Sequence, residues 1–184
     1  MAHKFSTAYI EDSLSLFRYY KKLSEGAMEQ VSDEQLFTAL DEEMNSIAII
    51  VKHMAGNMQS RWTDFLTSDG EKPDRDRDGE FEVRPGDTRD HIIAQWERGW
   101  STLFDAVSSL TPVDLGKTVR IRGEAHSVVE AINRQMSHYA AHVGQIVLLA
   151  KHYAGPRWQT LSIPRGKSRE VDVSKNGAPY GLKT

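Results

Sequence analysis

The chain has 184 residues, no cysteine and a formal net charge of -3 at pH 7. Without cysteine there are no disulfides, thiolate metal ligands or cysteine nucleophiles, which leaves His, Asp and Glu as the candidate metal ligands. The 23 basic residues form no basic stripe, so we expect no nucleic-acid partner. No segment approaches the roughly 20 apolar residues of a membrane span, and Met1 to Tyr20 lacks the apolar core of a signal peptide. We therefore expect no membrane partner and a cytoplasmic location.

Apolar periodicity predicts two long helices in the first part of the chain. Apolar residues recur three and four positions apart from about Ser6 to Gln30, the pattern of an amphipathic helix. Ser32 and Gln35 have the spacing of a capping box and predict one short helical turn. The second long helix is expected at about residues 43–66, and its middle is apolar nearly all round, which is typical of a central, well-covered helix.

Residues 67–87 change abruptly to Asp, Gly, Arg, Lys and Pro and predict a connection of about twenty residues. A loop of this length in a compact domain usually crosses over or covers something, and a helix bundle with a long crossover between its second and third helices would use it. The alternating charges of residues 74–78 fit a solvated loop equally well.

The second half of the chain predicts two further long helices. The third is expected from Asp87 or Thr88 to Leu110, and residues 115–126 are interpreted as a connector with a short extended piece that forms no sheet. Ser127 and Glu130 match a capping box, from which the fourth helix runs to about residue 153.

These elements predict an all-α protein, a four-helix bundle with a long crossover between helices two and three. We expect one domain at residues 1–165. Residues 166–184 form a polar tail that we expect to be mobile except where Tyr180 finds a surface.

Three histidines are candidate metal ligands. His138 and His142 lie four residues apart on helix four, so their imidazoles share one helical face. Partly exposed histidines with water or carbonyl partners would show the same spacing, but the apolar neighbours favour burial, and a buried imidazole pair needs hydrogen bonds or a metal. His53, read alone, would be a core histidine; from a facing helix it would complete a three-nitrogen site with an open position. Such a site suits zinc, nickel, iron or manganese.

The arrangement of these motifs resembles the DinB-like superfamily over about residues 5–165. The shared features are one histidine on helix two followed by Asn57 and Trp62, a long crossover, and His-x-x-x-His on helix four. Residues 56–73 and 161–166 are similar to a bacterial subfamily without an assigned activity. The resemblance implies an up-down-down-up bundle, a divalent metal held by His53, His138 and His142, and a homodimer.

The resemblance also implies a class of activity. Characterised relatives include thiol-dependent S-transferases and a thiol-dependent isomerase, in which the metal lowers the pKa of a low-molecular-weight thiol. We therefore expect a metal-dependent transferase that activates a small thiol such as bacillithiol, or water, toward a small-molecule substrate. Asn57 and Arg61, about one and two turns beyond His53, are candidate cofactor-binding residues, and each fits a structural surface or interhelical polar residue equally well.

Two alternatives stay open at this point. A metal-dependent hydrolase would need a general base or acid, for which Glu130, Asp12 and Glu11 are candidates. A non-catalytic metal-binding or interaction bundle would act through its dimer surface. A closed fourth ligand would favour the non-catalytic protein, whereas an open position facing a pocket would favour an enzyme.

Helix three carries Trp96, Trp100 and Phe104, for which the sequence leaves two roles open. They would form an apolar dimer face or pack into the core, and core packing is the more common use of such residues.

Overall fold

The structure is a computed structural model that describes residues 5–170. Over this range the protein is mostly helical, as predicted, with five α-helices and one antiparallel pair of strands. The helices are α1 (Phe5–Met28), α2 (Asp33–Phe37), α3 (Ile47–Trp62), α4 (Arg89–Ser108) and α5 (Val128–Ala154), and the strands are β1 (Thr118–Ile121) and β2 (Glu124–Ser127). No helix in this part of the chain is long and apolar enough to cross a membrane. Tyr180 and most of the predicted polar tail lie outside the described residues.

Side-chain caps define where the helices begin. The capping boxes predicted at Ser32 and Ser127 are both present. The second long helix, α3, is shorter than predicted because the Ser46 side chain accepts a hydrogen bond from the Ile49 N–H and so starts the helix at Ile47. Its last turn ends at Trp62 rather than residue 66, since the next residue already has an extended backbone.

The four long helices share one core. α3 packs against α4 and α5, and α1 packs against α5 and α4. Phe17, on α1, lies at the centre, with its ring centroid 6.2 Å from that of Trp62 and 6.0 Å from that of Tyr139. Trp96 and Trp100 are fully buried, so they pack into the core and do not form the apolar dimer face considered above.

Residues 115–127 contain a β-hairpin, so the prediction of a connector without a sheet was wrong. β1 pairs with β2 from Thr118 opposite Ser127 to Ile121 opposite Glu124. Arg122 and Gly123 both have positive φ angles, 56° and 80°, which allows the two-residue turn whose twist suits a hairpin. Arg122 occupies this turn despite its Cβ, so the residue type did not signal it.

The connection at residues 63–88 is tied to the helices and to the hairpin. Lys52 on α3 donates to the Asp87 carboxylate at 2.7 Å, and these side chains are only 8% and 5% exposed. At the other end, the Asp69 carboxylate accepts the backbone N–H groups of Arg122 and Gly123 at 2.9 and 2.7 Å. The connection therefore lies against α3 at one end and against the hairpin at the other.

The contact between α3 and α4 depends on a glycine, which gives a matched pair of variants. A Cβ at Gly99 would lie 3.0 Å from the Ala55 Cα and 3.2 Å from its carbonyl oxygen, and backbone atoms cannot turn away. We expect Gly99→Ala to lower the free energy of unfolding by about 1–3 kcal/mol, measured by urea denaturation. Gly144→Ala on α5, where a Cβ meets nothing within 4 Å, should be neutral or stabilising by up to about 1 kcal/mol. Equal effects of the two variants would contradict close packing at Gly99.

Candidate metal centre

His53 from α3 and His138 and His142 from α5 converge on one point. One ring nitrogen of each lies within 4.8 Å of the others, so the three are close enough to hold a metal ion. The ring centroids are 5.3 Å apart for His53 and His138, 5.0 Å for His53 and His142, and 4.6 Å for the pair on α5. His53 is buried, while the other two are partly exposed, so the cluster opens toward one side of the protein.

Hydrogen bonds orient two of the rings. Nδ1 of His53 lies 3.0 Å from the Glu80 carboxylate, and Nδ1 of His142 lies 2.9 Å from the side-chain oxygen of Gln145. Because both partners are acceptors, each Nδ1 carries the proton and donates it, which leaves each Nε2 as a free lone pair. Nε2 of His138 is itself buried and has no hydrogen-bond partner within the described part of the chain. All three rings therefore offer Nε2 as a possible metal ligand.

Burial and neighbouring groups keep His138 and His142 on α5 in the neutral form. Burial, followed by the neighbouring His142 and His53, lowers the pKa of His138 to about 3. Burial also lowers the pKa of His142, against the opposing effect of its hydrogen bond to Gln145. Both imidazoles are thus neutral at neutral pH, and a neutral imidazole is what a metal ion binds.

Glu80, which no sequence pattern predicted, orients His53 from the connection at residues 63–88. Glu80 lies in a 3₁₀ turn at Asp78–Phe81. Its carboxylate receives two hydrogen bonds of 2.7 Å from Arg75, the planar fork that a guanidinium offers a carboxylate. These bonds and the one from His53 outweigh burial and hold the pKa of Glu80 below its usual value.

One sequence signal could have pointed to this contact. Gly56 lies in the interior of α3, where glycine is unfavourable unless something packs closely against it. A Cβ at this position would lie 2.2 Å from a Glu80 carboxylate oxygen. An isolated glycine inside a helix, three residues after a candidate ligand, therefore indicates that a second chain segment packs against the helix there.

The charged stretch at residues 74–78 is solvated only in part. The side chain of Arg75 is 4% exposed and is bound by Glu80 and Glu71, so it belongs to the site. The other four residues of the stretch are exposed, as predicted for a solvated loop.

A cavity of about 340 Å³ opens beside His53 and His138. Both candidate cofactor-binding residues, Asn57 and Arg61, line it. The Tyr139 hydroxyl donates to the Asn57 side-chain oxygen at 3.0 Å, so one end of that amide is used within the core and the NH₂ group remains for the cavity.

The acidic residues considered as bases are used elsewhere or lie away from the cavity. Glu130 accepts the backbone N–H and hydroxyl of Ser127 in the capping box. Glu11 and Asp12 are exposed on α1 and do not line the cavity. Neither Glu130 nor any other carboxylate lines this cavity within the described residues.

Comparison with known families identifies the family of this chain. A family model described as a protein of unknown function, DUF1572, matches residues 4–167. The chain belongs to the DUF1572 family. A comparison with curated proteins found no match. The family description carries no activity, so the function of this DUF1572 protein has to be argued from its site.

The role of Glu80 can be tested in this DUF1572 chain with a charge-neutral variant. Glu80→Gln keeps the shape but removes the charge that holds the His53 ring and pairs with Arg75, so we expect metal affinity to fall about 10- to 100-fold. Competition with a chromophoric chelator measures the change. Glu82→Gln is the matched control, since that side chain is 65% exposed and lies two residues away in the same segment. Equal affinities in the two variants would rule out a positioning role for Glu80.

Proposed function

We propose that this protein is a DinB-like metalloprotein with an up-down-down-up four-helix bundle. The predicted helices one to four correspond to α1, α3, α4 and α5. The packing of α3 on α4 and α5, and of α1 on α5 and α4, supports this arrangement. The long connection at residues 63–88 supports it too, because consecutive helices that run in the same direction need a crossover.

We propose that His53, His138 and His142 hold one divalent transition metal ion. Nitrogens bound at about 2.0–2.1 Å around a tetrahedral ion are separated by about 3.3 Å, which modest side-chain rotations would reach from the present spacing. The buried, unpartnered Nε2 of His138 supports the assignment, since a buried polar nitrogen is costly without a partner. The donor set is all nitrogen, which suits zinc, nickel or iron, with manganese less favoured for lack of oxygen ligands.

The observation that carries the proposal of an enzyme is the open side of this cluster. No fourth His, Asp or Glu joins the three histidines within the described residues, and the cavity of about 340 Å³ adjoins two of them. A structural metal site usually has four protein ligands, whereas a catalytic one keeps a position for water or substrate. The non-catalytic bundle is therefore the weaker account.

We propose a metal-dependent transferase that activates a small thiol. The metal, when bound, would lower the pKa of the thiol and so supply a thiolate at neutral pH. The protein's own residues do the rest: Glu80 holds the ring of His53, and Arg61 adds positive charge beside the site. In the transfer the thiol sulfur forms a bond to an electrophilic carbon, the leaving group departs with its electron pair, and the thiol proton passes to water.

A hydrolase is the second candidate, with water in place of the thiol. Such an enzyme would need a group to take a proton from water. Glu80 is already bound by Arg75 and His53, and the described cavity lining holds no carboxylate. The transferase is favoured because a thiol loses its proton more readily than water and needs less help. A cytoplasmic location and a homodimer stay predictions.

Metal content tests the ligand set. Protein purified without an affinity tag should hold about one transition metal ion per chain by mass spectrometry, and His142→Ala should lose most of it because two imidazoles bind weakly. His152→Ala is the matched control, an exposed histidine on the same helix. No metal in the parent after divalent ions are added back would rule out the metalloenzyme.

A cobalt-substituted sample separates the transferase from the hydrolase. We expect a low-molecular-weight thiol to give a sulfur-to-cobalt charge-transfer absorption in the parent protein. Glutathione and cysteine serve as probes, and their S-methyl derivatives as controls. A cobalt spectrum that stays unchanged with both thiols, but responds to pH as bound water would, favours the hydrolase.

A further inference from the structure

The cavity beside the histidines has a marked excess of positive charge. Its lining consists of His53, Asn57, Arg61, Arg75, Arg77, Arg122, Arg134, Gln135 and His138. Five of these nine residues are arginines, and they come from α3, the crossover, the hairpin turn and α5. We call this cavity the arginine pocket.

Two carboxylates offset part of this charge. Glu80 is bound by Arg75, and Glu71 lies 3.2 Å from Arg75, 3.2 Å from Arg122 and 3.7 Å from Arg61. Glu71 is therefore shared among three guanidinium groups. Glu71 and Glu80 are the carboxylates within 4.0 Å of these five guanidinium groups in the described residues, and the nearby Asp69 carboxylate is bound by the backbone N–H groups of Arg122 and Gly123.

Arg61 is the arginine whose position demands an explanation. It is 4% exposed, and its Nε and Nη1 atoms are buried without a hydrogen-bond partner in the described residues. Burial lowers the pKa of its guanidinium, although Glu71 and Tyr139 oppose this. A buried cation with two unpartnered nitrogen atoms is costly unless an anion binds it.

Other groups of the pocket are also free to bind. Gln135 is 2% exposed, and its side-chain oxygen has no partner within the described residues. Because the two ends of an amide are interchangeable by rotation, Gln135 can present its NH₂ group to a ligand. Arg77 and Arg134, at the exposed rim, have no carboxylate within 4.0 Å in the same part of the chain.

A neighbouring cavity, lined by other residues of α3 and sharing Arg75, has a different charge balance. It measures about 410 Å³, and its lining combines four carboxylates with two cations. Asp64, Asp74 and Asp76 face it, together with Glu80. Positive charge is thus concentrated in the cavity that adjoins His53 and His138, where a reacting molecule would lie.

We propose that the arginine pocket binds the carboxylate or phosphate group of a small organic anion, which is the substrate or thiol of this enzyme. Guanidinium groups bind such anions through paired, charge-assisted hydrogen bonds. A volume of about 340 Å³ suits a metabolite-sized molecule. The anionic group would satisfy Arg61 and Gln135, and the reactive end of the molecule would face the histidines. That this anion is the substrate or thiol rests on the proposed function, whereas the binding of an anion to the pocket does not.

Titration calorimetry on the metal-free protein tests this proposal. The probes are succinate and inorganic phosphate, with neutral succinamide as the control, all at constant ionic strength. We expect one saturable site for succinate or phosphate and none for succinamide, and the preferred probe identifies the anionic group. Arg134→Gln and Arg77→Gln should each weaken binding roughly tenfold.

Arg157→Gln is the matched control for these variants. Arg157 is exposed and lies beyond the end of α5, about 30 Å along the helix from Arg134. The Arg157→Gln variant should bind the probe as tightly as the parent protein does. Circular dichroism shows whether the Arg61→Gln variant folds. If this variant folds, it should not bind the anion. If it does not fold, Arg134→Gln and Arg77→Gln test the proposal.

The proposal is overturned if neither anion binds saturably, if succinamide binds equally well, or if Arg157→Gln weakens binding as much as Arg134→Gln. The calorimetry uses metal-free protein, so its result is independent of the metal-content measurement. If the protein holds a metal ion but binds neither anion, the arginine pocket alone is refuted. Anion binding without any metal site would refute the metalloenzyme alone.

Discussion

The buried carboxylate of Glu80 links the crossover to α3, and the candidate site depends on that link. It accepts from His53 on α3 and from Arg75 on its own segment. A buried carboxylate with two cationic or polar donors is strongly held, because losing either donor would leave charge unpaired in a medium of low dielectric constant. The crossover thereby becomes a wall of the site, and it carries Arg75 and Arg77 to the cavity. Gly56 makes this possible by leaving room for the carboxylate.

We propose that the histidines and the arginines bind different parts of one molecule. Burial lowers the pKa of His138 to about 3 and also lowers the pKa of His142, so both imidazoles are neutral and available to bind a metal. The guanidinium groups beside them carry positive charge, because arginine is not deprotonated in proteins, and they concentrate positive potential in the cavity. A thiol or other substrate with an anionic group would be held at one end and activated at the other. The same field would stabilise a thiolate, which is negatively charged.

The helices and the histidine pair His138 and His142 were predictable because their signals are local, whereas the meeting of His53 with that pair was expected from the resemblance and from the apolar setting of its helix. Apolar periodicity, the capping boxes at Ser32 and Ser127, and the four-residue spacing of His138 and His142 all act within a few turns. Glu80 was not predictable in this way, since it meets His53 across 27 positions of the chain. The hairpin was missed because its turn places Arg122, an ordinary residue, at a positive φ angle. The helix arrangement of the bundle stays a proposal drawn from resemblance and packing.

The central claim is that His53, His138 and His142 bind one metal ion through Nε2 and leave a coordination position open toward the arginine pocket. X-ray absorption spectroscopy of zinc-loaded protein tests it most directly. The account predicts about three imidazole nitrogens at roughly 2.0–2.1 Å and one further oxygen ligand, which a bound thiol replaces with sulfur. A coordination shell with fewer than three imidazoles, or with a fourth protein ligand that no thiol displaces, would contradict it.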